Sequence, residues 1–172
     1  MTRKRFVRSV LAVIVGLVLV LGVQIPARAA SPGLQTTTGW RGEYYANVDL
    51  IGAPTLVRTD SGPSGSLGID FNWGAGAPAA GLPADNFSVR WTRTVTFDEG
   101  TYRFRATVDD GMRLFINGVL VIDQWRDGAQ REVTADRRMT AGAHALRVEY
   151  YERGGLALAR LRWEKVSSTV PD

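Results

Sequence analysis

An all-β fold, an antiparallel sandwich or barrel in a single domain, is what the sequence predicts, and three observations carry the prediction. Apolar and polar residues alternate with period two in run after run, as half-buried strands require. Turn-forming pairs such as Asn117-Gly118 separate the runs. No stretch of 10 to 15 residues carries the helical period, which leaves sandwich or barrel architectures.

The chain opens with Arg3, Lys4, Arg5 and Arg8, then a 14-residue apolar run from Val10 to Val23, then the small-residue site Ala27-Arg28-Ala29. That order reads as a secretory signal peptide over 1–29, cleaved before Ala30. The run is shorter than the 18 or so apolar residues of a spanning helix, although an uncleaved anchor is the alternative and the one route to membrane attachment. Cleavage removes five of the 21 basic residues and no acid, leaving 16 bases against 17 acids over 143 residues. The basic character of the whole chain therefore departs with the leader, and a nucleic-acid partner is not expected.

Residues 30–38 form a Ser/Pro/Gly/Thr-containing lead-in, and 166–172 a short polar tail. Between them the domain spans 39–165. Its first expected strands are Gly39 to Ala46 and Thr55 to Thr59. The segment 60–84, rich in Gly, Pro, Ala and Ser, reads as one long irregular excursion that contains a short strand, Ile69 to Trp73. Phe87, Val89, Trp91, Val95 and Phe97 then share a face that Arg93 alone interrupts, which predicts a bend there. After the turn Asp98-Glu99-Gly100, Tyr102, Phe104, Ala106 and Val108 face inward while Arg103 and Arg105 take a solvated face. Asp109-Asp110-Gly111 reads as the next hairpin tip and Asn117-Gly118 as another. Following Ala141-Gly142, His144, Leu146, Val148 and Tyr150 share a face, and Leu156 to Trp163 is the last strand.

Composition narrows the chemistry. With no cysteine there are no disulfides, thiolate metal sites or cysteine nucleophiles, so burial alone must stabilise the fold. One histidine, His144, cannot build a multi-histidine zinc site, and its place just after a turn marks it as structural. No Gly-x-Ser-x-Gly elbow occurs. The loop Gly74 to Ala79 follows a strand, but Pro78 and the lack of a following helix rule out a dinucleotide fingerprint. Asp109 and Asp110, adjacent at one turn, cannot flank a glycosidic bond as glycosidase carboxylates must. The expectation is a non-catalytic module.

The same two aspartates are the best functional clue. Neighbours on a strand diverge, so both reach one ion only through an abnormal backbone, most simply a cis peptide. Ca²⁺, a hard cation that takes six to eight oxygen ligands, would suit the pair and then hold a ligand's hydroxyls. The alternative is a type I′ turn at Asp110-Gly111, with Asp109 bonding nearby backbone amides. Among the aromatic residues Trp73, Trp125, Tyr150, Tyr151 and Trp163, those nearest loops are Trp125 and Tyr151, the candidates for sugar contact.

Several motifs in order resemble the PA14 domain family over Trp40 to Glu164. They are Trp40-Arg-Gly-Glu43-Tyr44-Tyr45; Phe71-Asn-Trp73-Gly-Ala-Gly-Ala-Pro78 with Asp85-Asn-Phe87-Ser-Val-Arg90-Trp91-Thr; Asp109-Asp110-Gly111 through Asn117-Gly118 to Trp125; and Gly142-Ala-His144 through Glu149-Tyr150-Tyr151-Glu152 to Trp163. Arg93 departs from the small residue often found after the Trp-Thr pair, a local packing change. The resemblance implies an extracellular β-sandwich, secreted or cell-surface associated. In the family's lectins paired aspartates, joined by a cis peptide, bind Ca²⁺ beside a second loop that adds a side-chain oxygen and backbone carbonyls, and the ion coordinates sugar hydroxyls. By position, Asp109 and Asp110 match the pair. Glu152 stands where those lectins place an asparagine, making the site more negative, and the carbonyls of Gly154 and Leu156 would complete the shell. Arg153 in the same loop joins Asp109, Asp110, Trp125 and Tyr151 as a sugar-contact candidate. The implied function is a carbohydrate-binding module for an extracellular glycan or cell-surface polysaccharide; the alternative is a structural or docking module with envelope protein partners.

Overall fold

The computed structural model describes residues 39–62 and 67–166. The expected leader, the lead-in and the tail beyond 166 lie outside the described residues.

Among the described residues, alternation becomes ten strands: β1 (Trp40–Tyr45), β2 (Leu56–Asp60), β3 (Ile69–Gly74), β4 (Phe87–Phe97), β5 (Gly100–Val108), β6 (Gly111–Ile116), β7 (Val119–Gln124), β8 (Arg131–Met139), β9 (Gly142–Glu152) and β10 (Ala157–Lys165). They form two antiparallel sheets, one of six strands in the order β2-β1-β4-β9-β6-β7 and one of four in the order β3-β10-β5-β8. The faces follow the sequence pattern: Phe87, Val89, Trp91, Val95 and Phe97 are buried, as are Tyr102, Phe104, Ala106 and Val108. Between the sheets Phe71 stacks on Trp73 and on Trp91 at centroid distances of 5.0 and 5.4 Å, giving the core an aromatic centre.

Two expectations are corrected. At Arg93, β4 keeps its register with β9 from Phe87↔Glu152 to Phe97↔Gly142, and the guanidinium bonds the Leu67 carbonyl at 3.1 Å. Asp109-Asp110 is not a hairpin tip. β5 pairs with β10 and β8, whereas β6 pairs with β9 and β7, so the two aspartates form a corner where the chain crosses between sheets. The expected cis peptide is absent among the described residues; Asp110 instead has φ 53°, the left-handed region that aspartate tolerates better than most side chains.

One strand, β8, has no counterpart in the sequence reading. Val133, Ala135 and Met139 face inward and the exposed Arg137 interrupts them, a face too weakly apolar to announce a strand. Pairing with β5 along nine residues is what places it.

Candidate functional site at the inter-sheet corner

Strand direction decides which loops meet. β5 ends at Val108, β6 begins at Gly111 opposite Tyr151, β4 begins at Phe87 opposite Glu152, and β10 begins at Ala157. The corner 109–110, the loop after β7 and the loop between β9 and β10 therefore share one end of the sandwich. Gly111 makes this possible, because a Cβ there would overlap the Tyr151 ring that lies across the strand.

Asp110 is the knot. Its amide donates to the Gly128 carbonyl at 3.0 Å, and its Oδ1 accepts the Gly128 amide at 3.0 Å. Its Oδ2 accepts the Arg153 amide at 2.8 Å and the Gly154 amide at 3.4 Å, while its carbonyl accepts an Arg131 N–H. A single buried carboxylate thus ties the corner to both flanking loops. Asp109 is half-buried, donates its amide to the Leu158 carbonyl at 3.0 Å, and accepts the Asp110 amide on Oδ1 at 3.2 Å. Burial raises its carboxyl above the ordinary range; the Asp110 amide and Arg131 oppose that shift and the Asp110 charge adds to it.

Glu152 is fully buried beside them. Its Oε2 accepts the Tyr150 hydroxyl at 2.9 Å, and its Oε1 has no hydrogen-bond partner. Burial, above all, pushes this carboxyl up to about 7; the Tyr150 hydroxyl works against the shift, and the neighbouring Asp110 and Asp109 work with it. The sequence-predicted acids Asp109, Asp110 and Glu152 are therefore electrostatic neighbours. Among the described residues, however, no three acid or imidazole side chains stand ready to grip a metal ion. The reason is visible at Asp110, whose oxygens are turned to amides.

The second loop presents donors where carbonyls are expected. The amides of Arg153 and Gly154 face Asp110, and the Gly155 amide donates to Asp85 Oδ1 at 3.2 Å. Leu156 is exposed. Tyr151 is buried, with its hydroxyl on Asp127 Oδ1 at 2.6 Å, so it braces the loop after β7; Arg153 is exposed and pairs with the same Asp127 at 2.9 Å. Trp125, half-buried, meets the Tyr151 ring edge-on at 4.7 Å and carries the Arg113 guanidinium over its face at 4.0 Å. Sequence reasoning missed Asp127, Gly128, Arg131 and Asp85, all of which hold the corner's loops. The turn pair Asp127-Gly128 was the one available signal.

Comparison with known proteins places this geometry. The family model described as PA14 domain matches residues 36–169. The chain is 39% identical over 135 residues to the anti-sigma-I factor RsgI3 of Acetivibrio thermocellus, covering 77% of this chain and 20% of that protein. A solved anti-sigma factor domain-containing protein superposes with TM-score 0.68 at 37% identity, covering 77% of this chain and 45% of that one. A PA14 sugar-binding domain from an RTX adhesin shares the fold, with TM-score 0.53 at 20% identity over 74% of this chain and 90% of that one. The chain spans a fifth of the curated relative and less than half of the solved one, so what those whole proteins do is not carried over with the domain. The ordered motifs, the ten-strand sandwich and the model match agree: this chain belongs to the PA14 domain family.

Proposed function

We propose that this domain is an exported, non-catalytic glycan-recognition module whose binding end is the corner of Asp109, Asp110 and Glu152, with Ca²⁺ as the bridging ion. The observation that carries the reading is Glu152, buried against the Asp110 and Asp109 carboxylates with an oxygen, Oε1, that has no donor while the group is ionised. A buried, unpaired carboxylate oxygen is costly to leave unsatisfied. An all-oxygen set of carboxylates is the donor chemistry a hard cation takes. Asp109 and Glu152 would hold the ion together with Asp110 once Asp110 gives up an amide bond to Gly128, Arg153 or Gly154, and the ion would supply Lewis-acid attraction for vicinal hydroxyls. The chain itself contributes the walls: Arg153 and Asp127 at the rim, and Trp125 propped by Tyr151. A docking module is the second reading, favoured by one observation. The three amide bonds to Asp110 let it serve as a strut that needs no ion.

Calorimetry and thermal melting of the full chain separate the two. Millimolar Ca²⁺ raises the melting temperature by mass action on the folded state. Asp109→Asn abolishes that rise without unfolding the protein, because its side-chain carbonyl still accepts the Asp110 amide. Neither heat nor stabilisation with wild-type protein would leave Asp110 as a strut and remove Ca²⁺ from the account.

A further inference from the structure

The outer faces of the two sheets handle charge differently. On the four-stranded sheet four outward arginines meet acids across the strands: Arg103 with Asp136 at 2.7 Å, Arg105 with Glu164 at 3.0 Å, Arg160 with Asp70 at 2.6 Å and Arg162 with Glu132 at 3.2 Å. On the six-stranded sheet one cross-strand row, Glu43, Arg90, Glu149, Arg113 and Asp123, alternates in sign over five strands. Glu149 sits at its centre, taking Arg90 at 3.2 Å and Arg113 at 2.8 Å. The neighbouring row breaks the pattern. It reads Arg41, Thr92, Arg147 and Phe115, two cations and no acid. Arg147 lies over the Phe115 ring at 4.0 Å and reaches the already occupied Glu149 only at 3.6 Å, while Arg41 pairs with Glu43 on its own strand. Beside this row Thr94 pairs with Ala145, both small. The result is a trough of about 290 Å³ lined by Thr92, Arg93, Thr94, Ala145 and Leu146 between Arg41 and Arg147, and by no acid; Arg93 is already spent on the Leu67 carbonyl.

We infer that this trough binds the carboxylate-bearing sugars of an acidic polysaccharide, so the glycan of the proposed function is a polyuronate; the inference rests on that glycan reading. A guanidinium presents parallel N–H groups that fit a carboxylate fork. Stacking on Phe115 holds the Arg147 plane in place before a ligand arrives, which reduces the ordering cost of binding. Arg41 and Arg147 stand two strands apart, about 10 Å at the backbone, so they address carboxylates on different units of an extended chain. Threonine hydroxyls between them donate to and accept from sugar hydroxyls. Glu43 and Glu149 beside the arginines keep the local field modest, which disfavours the dense phosphates of nucleic acid.

The test is fluorescence titration of the full chain in EDTA with sodium alginate and with its propylene glycol ester, the same polymer with its carboxylates masked. The expected result is binding of the free acid about tenfold tighter than the ester, a difference of about 1.4 kcal/mol, and weakened by salt. Arg41→Ala combined with Arg147→Ala brings the two polymers to equal affinity, and Arg160→Ala on the other sheet changes neither. Equal binding of acid and ester by the wild type overturns the trough and leaves the glycan reading standing. Loss of Ca²⁺ stabilisation with the acid preference intact removes the metal alone. Single-stranded DNA bound as tightly as alginate with the same arginine dependence, or no polymer bound at all, overturns the inference.

Discussion

Two buried carboxylates of the six-stranded sheet, one ending the edge strand β2 and one ending the interior strand β9, are built to opposite specifications. Asp60, at the end of β2, takes the Tyr44 hydroxyl at 2.6 Å and the Trp91 indole N–H at 2.7 Å on Oδ2, and the Arg58 guanidinium at 2.6 Å on Oδ1. Arg58 also bonds the Tyr44 oxygen at 2.7 Å and covers its ring at 4.5 Å. Gly42 leaves the room for this, since a Cβ there would collide with Asp60 Oδ2. Glu152 likewise has a tyrosine hydroxyl, that of Tyr150, but no cation and one unpaired oxygen, and its nearest charges are acids. Satisfied and charge-balanced, the first holds an edge strand to the core. The second is a demand for a cation or proton, placed where the loops gather. The difference in partners, not in burial, separates a strut from a site.

The sharpest way to break the comparison is at its structural pole. Trp91→Ala removes a fully buried ring that stacks on Phe71 and donates to Asp60, and should cost about 3 to 5 kcal/mol in urea unfolding. Arg103→Ala, which gives up only the exposed pair with Asp136, should cost far less, since solvent screens such pairs. Equal stability of the two variants would mean that the strand faces are wrongly assigned. Asp60→Asn is the next largest. It keeps the shape but strips the charge from Arg58 and offers an amide to groups that already donate, so a loss of about 2 kcal/mol is expected. No measurable loss would show that the network is ornamental.

The strands were legible because alternation reports burial directly: the inward faces of β4 and β5 and the Asn117-Gly118 hairpin stand as the sequence places them. What could not be read was anything decided between sheets. Asp109-Asp110 carries the same local signal whether the chain turns back in one sheet or crosses to the other; pairing of β5 with β8, and of β6 with β9, settles it. The strand β8 escaped for the same reason, since its weakly apolar face is stabilised by register and not by its own pattern. At the site, the acids could be named from sequence and resemblance, but the direction of the amides of Arg153, Gly154 and Gly155 is a property of the folded loop.

The smallest expected effect tests the functional pole, and it is a slope. Glu152 titrates near 4.5 in an unfolded chain and near 7 when folded. Between those values the folded protein keeps a proton that the unfolded chain has already released, so stability falls as pH rises through this window and is greatest below it. In EDTA, wild-type protein should lose stability from this group between about pH 4.5 and 7. Glu152→Gln cannot ionise and should remove that part of the slope, whereas Asp60→Asn should keep it despite its lower overall stability. Ca²⁺ should flatten the wild-type slope as well, because a cation at the cluster does the work of the proton and favours the ionised carboxylate. Melting curves of the three proteins across this pH range, with and without Ca²⁺, decide the matter. If Glu152→Gln retained the full wild-type slope, the buried carboxylate would not be the unsatisfied group, and the contrast with Asp60 would fail.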